Sequence, residues 1–213
     1  GRNFLSRAKD INKDQTYFLH EVSEKEFSKC LFPLENLTKS EVRNIAFKND
    51  LVTANKKDSV GICFVGEKNL KDFLSRFIEF KKGDIKDEND NIIGQHQGSI
   101  LYTQGQRQGL MIGGVKGKEE LPWYVYKKDI AKNEIYVCQG GDNKLLMNTG
   151  LYVEDINYIN DIEYKYPIKC SVQVRHQHTP VNCTIEKSSN EYKVIFEESI
   201  RAIAPGQSAV FYD

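Results

Sequence analysis

Cysteine is scarce and poorly spaced for cross-linking. The 213 residues hold five (30, 63, 138, 170 and 183), with no C-x-x-C pair and one necessarily left over. That argues against a disulfide framework or a thiol-ligated zinc site, and for a reducing, cytoplasmic compartment. No apolar run approaches the ~20 residues that a helix needs to cross a bilayer, so no membrane partner is expected. Gly1 to Asp10 lack the apolar stretch and small-residue cleavage site of a signal peptide. Gly1 is not a natural start, and the chain is expected to begin inside a longer protein. Charge of either sign is not in excess: 30 basic and 30 acidic residues cancel. A neutral chain has no global pull on nucleic acid, so any such contact must come from local patches. His20, His96 and His178 have no metal-ligand spacing with one another or with the cysteines. They read as surface or structural residues, and no bound metal is expected.

What is present reads as three stretches. Ser23 with Glu26, and Thr38 with Glu41, are capping-box pairs that start two helices separated by Pro33. Phe27, Cys30 and Leu31 fall on one face of the first helix, and Val42, Ile45 and Ala46 on one face of the second. A third helix is expected from about Glu67 to Ile78. Between the second and third, a polar loop from Asn55 to Ser59 leads into the apolar Ile62-Cys63-Phe64. After Gly83 the period shortens to two. Ile85 and Ile92-Ile93 flank a polar turn, Ile100-Leu101-Tyr102 reads as a strand, and Gly105 to Lys118 as a glycine-rich loop. Trp123–Tyr126 and Glu134–Cys138 read as a hairpin, with Trp123 as its anchor. From Lys169 the alternation is clean: Cys170, Val172 and Val174 face one way, Ser171, Gln173 and Arg175 the other. Val181, Cys183 and Ile185 repeat it, then Tyr192, Val194 and Phe196, which indicates a small barrel or sandwich.

Cys63 has two readings. Lys56 and Lys57 precede it, and nearby cations favour the nucleophilic thiolate. Alternatively, Ile62-Cys63-Phe64-Val65 is a buried strand in which cysteine serves as a small hydrophobe. On spacing alone the second is favoured. Cys30, Cys170 and Cys183 fall on expected core faces.

Several motifs taken together alter that balance. Lys13-Asp14-Gln15-Thr16-Tyr17-Phe18-Leu19 resembles a segment of the tRNA 2-thiouridylases. So do Leu31-Phe32-Pro33-Leu34, Lys57-Asp58-Ser59 with Gly61-Ile62-Cys63-Phe64-Val65-Gly66, Tyr102-Thr103 with Gly105-Gln106-Arg107, Ile112-Gly113-Gly114, Pro122-Trp123-Tyr124-Val125, and Pro205-Gly206-Gln207-Ser208. The matches run in order along nearly the whole chain, which is far more specific than one short pattern.

The resemblance implies an α+β chain. Residues 1–80 would be the helical tail of an α/β PP-loop catalytic domain, 81–144 a small central β-rich domain, and 145–213 a translation-factor-like β-barrel lacking a strand after Asp213. The edge at Val210-Phe211 would then be open to association. It further implies 2-thiolation of the wobble uridine in tRNA for Lys, Glu and Gln. ATP with Mg2+ would activate the base, and Cys63 would carry a persulfide received from a sulfur-relay protein. Lys56, Lys57 and Asp58 would position the Cys63 loop, and Lys13, Asp14, Gln15, Arg175, His176 and Gln207 would contact tRNA. Two departures stand out. The Ser-Gly-Gly-x-Asp-Ser phosphate loop and a first catalytic cysteine are absent from these residues, so the chain by itself is expected to be inactive. His176 and Gln177 also stand where the family has tyrosine and arginine. The competing expectations are a non-catalytic RNA-binding β module, in which Cys63 is structural, and a barrel that mediates protein contacts alone.

Overall fold

The computed structural model describes residues 4–58, 70–160, 164–189 and 191–213. They form a mixed α and β structure with two sheets and few helices. The chain divides into two compact units. One takes Gly1–Ser59, Gly150–Glu198 and Gln207–Asp213, the other Val60–Thr149 and Ser199–Gly206.

In the second unit, β1 (Gly83–Lys86) pairs antiparallel with β2 (Ile92–His96). The turn between them is closed by Asp87, whose Oδ1 accepts the amides of Asn89 at 2.9 Å and Asn91 at 3.0 Å. β3 (Trp123–Asp129) and β4 (Glu134–Gln139) make the expected hairpin, with Val125 opposite Val137. β1 also lies parallel to β4, giving the order β2-β1-β4-β3. The alternating inward residues Ile85, Trp123, Val125, Ile135 and Val137 close on Tyr102 and Leu110 as one core. His96 is fully buried and spent on structure: Nδ1 accepts the Gly98 amide at 3.0 Å, and Nε2–H donates to the Asn133 carbonyl at 3.0 Å. Burial lowers its pKa and keeps the ring neutral.

Ile100-Leu101-Tyr102 is not a strand. A 3-10 turn spans Ser99–Leu101, entered through Gly98 at φ 137°. The Ser99 amide donates to Asn133 Oδ1 at 3.2 Å and the Tyr102 amide back to Ser99 at 3.3 Å, so local partners satisfy backbone groups that a ladder would otherwise take.

In the first unit, β6 (Ile168–Gln173), β7 (Val181–Lys187) and β8 (Tyr192–Arg201) follow the alternation read from sequence. β5 (Met147–Val153) was not anticipated, because Met-Asn-Thr-Gly-Leu-Tyr-Val does not alternate cleanly. It completes the order β5-β8-β7-β6-β9, with Gly150 so close to Val194 that a Cβ would collide with the Val194 carbonyl. β9 (Val210–Tyr212) pairs antiparallel with β6 and is the end strand of this sheet. Cys170 and Cys183 stand opposite each other on β6 and β7 with their sulfurs 3.6 Å apart.

The helical stretch departs most from expectation. Both capping boxes form: Glu26 accepts the Ser23 amide at 2.9 Å, and Glu41 accepts the Thr38 amide at 2.6 Å. However, α1 is only Glu24–Phe27. Ser28 Oγ turns back onto the Lys25 carbonyl at 2.7 Å, a local bond that competes with continuing the helix. Cys30 and Leu31 therefore lie beyond the helix. Cys30 is exposed and Leu31 is 92% exposed, so neither is a core residue. α2 spans Lys39–Lys48, and its Ile45 is 47% exposed. α3 is Leu70–Leu74, and the start of the expected third helix lies outside the described residues.

The two readings of apolar residues separate on truncation. Ile135→Ala, in the closed core, is expected to cost about 2–5 kcal/mol, and Leu31→Ala to stay within about 0.5 kcal/mol. Chemical denaturation followed by far-ultraviolet circular dichroism, which reports on both units, measures both. Equal effects would show that the core has been wrongly located.

Candidate functional site

The first unit has an open cleft of about 440 Å3 lined by the N-terminal segment and the end of β6. Two aspartates shape the N-terminal wall. Asp10 starts a 3-10 turn over Ile11–Lys13, with Oδ1 accepting the Asn12 amide at 3.2 Å and Oδ2 the Lys39 amide at 2.8 Å. This ties the turn to the start of α2. Asp14 makes the next corner, with Oδ1 accepting the Thr16 amide at 3.0 Å and Oδ2 the Arg7 Nε–H at 2.9 Å. The short Asx geometry suits aspartate because its carboxylate mimics a backbone acceptor two residues on.

Asp14 is buried, at 7% exposure. Burial works to raise its carboxyl, but the Thr16 amide and the Arg7 guanidinium outweigh it and hold the group below the ordinary carboxylate range. Its main-chain carbonyl also faces the sheet and accepts from His176 Nε2–H at 3.3 Å. The His176 ring lies 4.5 Å from Phe18 and 6.0 Å from Tyr17, centroid to centroid. Tyr17 is buried, and its hydroxyl donates to the Ser208 carbonyl at 2.9 Å.

The residues singled out by sequence are thus distributed unequally. Asp14 and His176 line the cleft itself. Lys13 and Gln15 flank Asp14 with exposed side chains, and Arg175 is half-buried beside His176. Gln207 is exposed and adjoins Ser208, to which Tyr17 is tied. Gln173, expected on the solvent face, is buried at 3%. Its amide oxygen accepts the Tyr212 hydroxyl at 2.8 Å, so the Tyr212 side chain of the neighbouring strand β9 covers it on the face that strand alternation assigned to water.

Asp58 gathers cations. Its carboxylate lies 2.8 Å from Lys13 Nζ, 2.9 Å from Lys39 Nζ and 3.9 Å from an Arg43 terminal nitrogen. Hydrogen bonds from Lys13 and then Lys39 hold its carboxyl at about 2. Lys56 is exposed, its carbonyl accepting from Arg43 at 3.5 Å, and Lys57 is exposed. Cys63 lies outside the described residues.

Sequence reasoning missed Arg7, Lys39 and Arg43. Arg7 carries no local signal, since its partner Asp14 is set by the fold. Lys39 and Arg43 did carry one: they are four apart on a helix and share a face.

Arg7→Ala leaves a buried carboxylate with one donor fewer, and is expected to cost about 1–3 kcal/mol at neutral pH. The carboxyl of Asp14 is depressed in the folded state, so its contribution is present above the unfolded carboxylate range. It is lost as pH falls through the lower folded value. The penalty of Arg7→Ala should therefore shrink in acid, and the Asp14 carboxyl, followed by carbon NMR, should titrate higher in the variant. A penalty that stays constant throughout the acid titration of Asp14 would mean that Arg7 acts through packing alone.

Three family models match the chain in sequence: tRNA methyl transferase HUP domain over residues 1–67, tRNA methyl transferase PRC-barrel domain over 71–139, and Aminomethyltransferase beta-barrel domain over 148–213. Among curated proteins, the chain is 46% identical to the tRNA-specific 2-thiouridylase MnmA of Pseudomonas fluorescens Pf-5, over 100% of its own length and 56% of the relative's. It is 47% identical to the protein of the same name from Buchnera aphidicola subsp. Acyrthosiphon pisum, over 100% and 58% respectively. The chain spans less than three fifths of the length of these relatives.

Proposed function

Because the chain belongs to the tRNA 2-thiouridylase family, we propose that it holds a tRNA anticodon arm and carries, on Cys63, the sulfur that replaces O2 of the wobble uridine. Residues 1–80 are then the tail of a PP-loop catalytic domain, 81–144 a central β-rich domain, and 145–213 a translation-factor-like barrel. The substrates are tRNA for Lys, Glu and Gln, the sulfur comes from a relay protein, and the compartment is the cytoplasm.

The observation that supports this reading most is a convergence. Asp14 and His176 are 162 residues apart in sequence, yet they meet across one cleft, with the Phe18 ring tilted against the imidazole. Recognition of a single-stranded loop needs a surface of this kind, with flat rings for an unstacked base and polar groups at its edge. Lys13 and Gln15 stand exposed on either side of the Asp14 corner. Asp14 itself, being buried and paired, serves by fixing where they stand. Lys13 also reaches Asp58, five residues before Cys63.

Among the described residues, the glycine-rich stretch from Gly105 to Lys118 does not fit a nucleotide. Gly113 and Gly114 in the one glycine-rich stretch have no neighbouring atoms where a Cβ would sit. The next regular element is β3 rather than a helix whose amides could cradle phosphate. ATP and Mg2+ are therefore assigned to residues outside this chain.

What falls to Cys63 is sulfur transfer. The terminal sulfur of its persulfide attacks C2 of a uridine whose O2 has been made a leaving group, and the C2–O bond breaks with its electron pair going to that group. A second cysteine thiolate then attacks the Cys63 sulfur. The bond to the transferred sulfur breaks, leaving the thiocarbonyl on the base and a disulfide between the two cysteines.

In the full-length protein, Cys63→Ser is expected to lower thiolation on the order of a thousandfold or more and to leave tRNA affinity within about twofold, since Ser keeps the size of the side chain. Persulfide trapping with mass spectrometry should label Cys63 after exposure to a sulfur donor. Retained thiolation in the serine variant would sink the catalytic assignment and leave the non-catalytic RNA-binding module standing.

A further inference from the structure

We propose that Lys39 and Arg43 of α2, together with Lys13, form a contact for a backbone phosphate of RNA, a site that rests on the reading of tRNA as the substrate. Three cationic head groups from two separate segments lie within 4 Å of the one carboxylate of Asp58. A small anion can therefore engage all three at once. Asp58 carries one negative charge against three positive ones, so the cluster keeps an excess that a further anion would neutralise.

The neighbouring acids do not remove that excess. Glu41, on the same helix, is engaged by the Thr38 amide and hydroxyl and by Lys9 at 3.3 Å. Asp10 accepts the Asn12 and Lys39 amides, at 3.2 Å and 2.8 Å. Arg43 is the least committed of the three. Its 3.9 Å separation from Asp58 is too long for a hydrogen bond, and its contact with the Lys56 carbonyl, at 3.5 Å, is at the limit of one. A guanidinium has five N–H donors in a planar fork that matches two oxygens of a phosphate.

The side chains are also placed to be met from solvent: Lys13 is 51% exposed, Lys39 and Arg43 42% each. Their backbone supports are firm, because α2 is ten residues long and capped, and the Lys39 amide is fixed by Asp10. RNA is the partner of choice over other phosphate carriers because Lys13 sits in the same short segment as Phe18. That ring is 56% exposed and packs against His176. A ligand with phosphates and flat bases at nucleotide spacing uses both features.

Binding of an unmodified tRNA transcript to the full-length protein, measured from 50 to 300 mM salt, tests the site. Lys39→Gln/Arg43→Gln is expected to weaken binding about tenfold at low salt and to flatten the log–log salt slope by about 0.8, near the value for one lost phosphate contact. Lys39→Arg/Arg43→Lys should keep the slope of the unaltered protein, which a merely structural role would not require. An unchanged affinity and slope in the glutamine variant, with the tRNA still bound by the unaltered protein, overturns this contact alone. Failure of the unaltered protein to bind the transcript at all overturns the proposed function instead. Loss of binding in both variants, with melting temperatures unchanged, would show that shape rather than charge matters there, and would also count against the contact.

Discussion

A buried carboxylate has to be paired, and in this chain that requirement organises the cleft. Asp14 has little access to water, so its two oxygens must find donors within the protein. One takes the Thr16 amide and so turns the chain; the other takes Arg7 and so pins the strand of residues that precedes the turn. With its carboxylate engaged on the N-terminal side, its carbonyl is left to meet His176 from β6. Lys13 and Gln15 cannot shift without dragging this corner along. Phe18 and Tyr17, in the turn that follows, are held against the same imidazole. A single residue thus carries the geometry from local turn to unit-wide packing.

Strands were more legible in the sequence than helices, and the reason is physical. β7 and β8 bury one face within the chain, so alternation survives in Val181, Cys183, Ile185 and in Tyr192, Val194, Phe196. β6 obeys the rule until Gln173, a polar residue buried against the Tyr212 side chain of the adjacent strand β9. No local pattern encodes that, because the adjacent strand is nearly forty residues away in sequence. The helical stripes of Phe27, Cys30, Leu31 and of Val42, Ile45, Ala46 were legible as patterns, but the described residues do not bury them fully. Periodicity reports what a face could bury, whereas caps and side-chain competition decide how long the helix is. At the cleft, Asp14 and His176 were found through resemblance, since a histidine at a strand end and an aspartate in a polar run look ordinary alone. Arg7 could not have been found, as its role exists only once Asp14 is buried.

The described cysteines differ in what their surroundings allow. Cys138 lies in the middle of β4 with no exposure, and burial, the main cause, pushes its thiol up to about 11. Cys183 is raised as well, chiefly through its hydrogen bond with Cys170, which is lowered by the same contact. The two opposed sulfurs are 3.6 Å apart and engage each other, and Cys183 is buried. Cys30 is open to solvent, with its thiol directed to the Glu26 carbonyl at 3.5 Å. None of these four has a lysine or arginine cluster beside it of the kind that surrounds Asp58. The proposal for Cys63 therefore rests on the resemblance and on its nearness in sequence to Lys56, Lys57 and Asp58, the last of which gathers those cations.

The same cations raise the question of how a chain with no net charge would hold a polyanion. The answer lies in where the acids are used. Asp10, Asp14 and Asp87 turn the backbone at corners, and Glu26 and Glu41 close helix starts. An acid engaged by backbone amides has its field directed into the protein and is partly cancelled there, while its formal charge still enters the total. Lysines and arginines cannot be used in this way, because they have no acceptor for an amide; some pair with acids, as Arg7 does with Asp14, and those around α2 keep their head groups open to solvent. A count that comes to zero thus conceals a division of labour between negative groups that build turns and positive groups that face outward. Around α2 that division is plain, since Asp10 and Glu41 are engaged by backbone amides in the two segments that display Lys13, Lys39 and Arg43. Affinity for a phosphate chain there depends on the local surplus within a Debye length, about 8 Å at physiological salt, and hardly at all on the sum over the molecule.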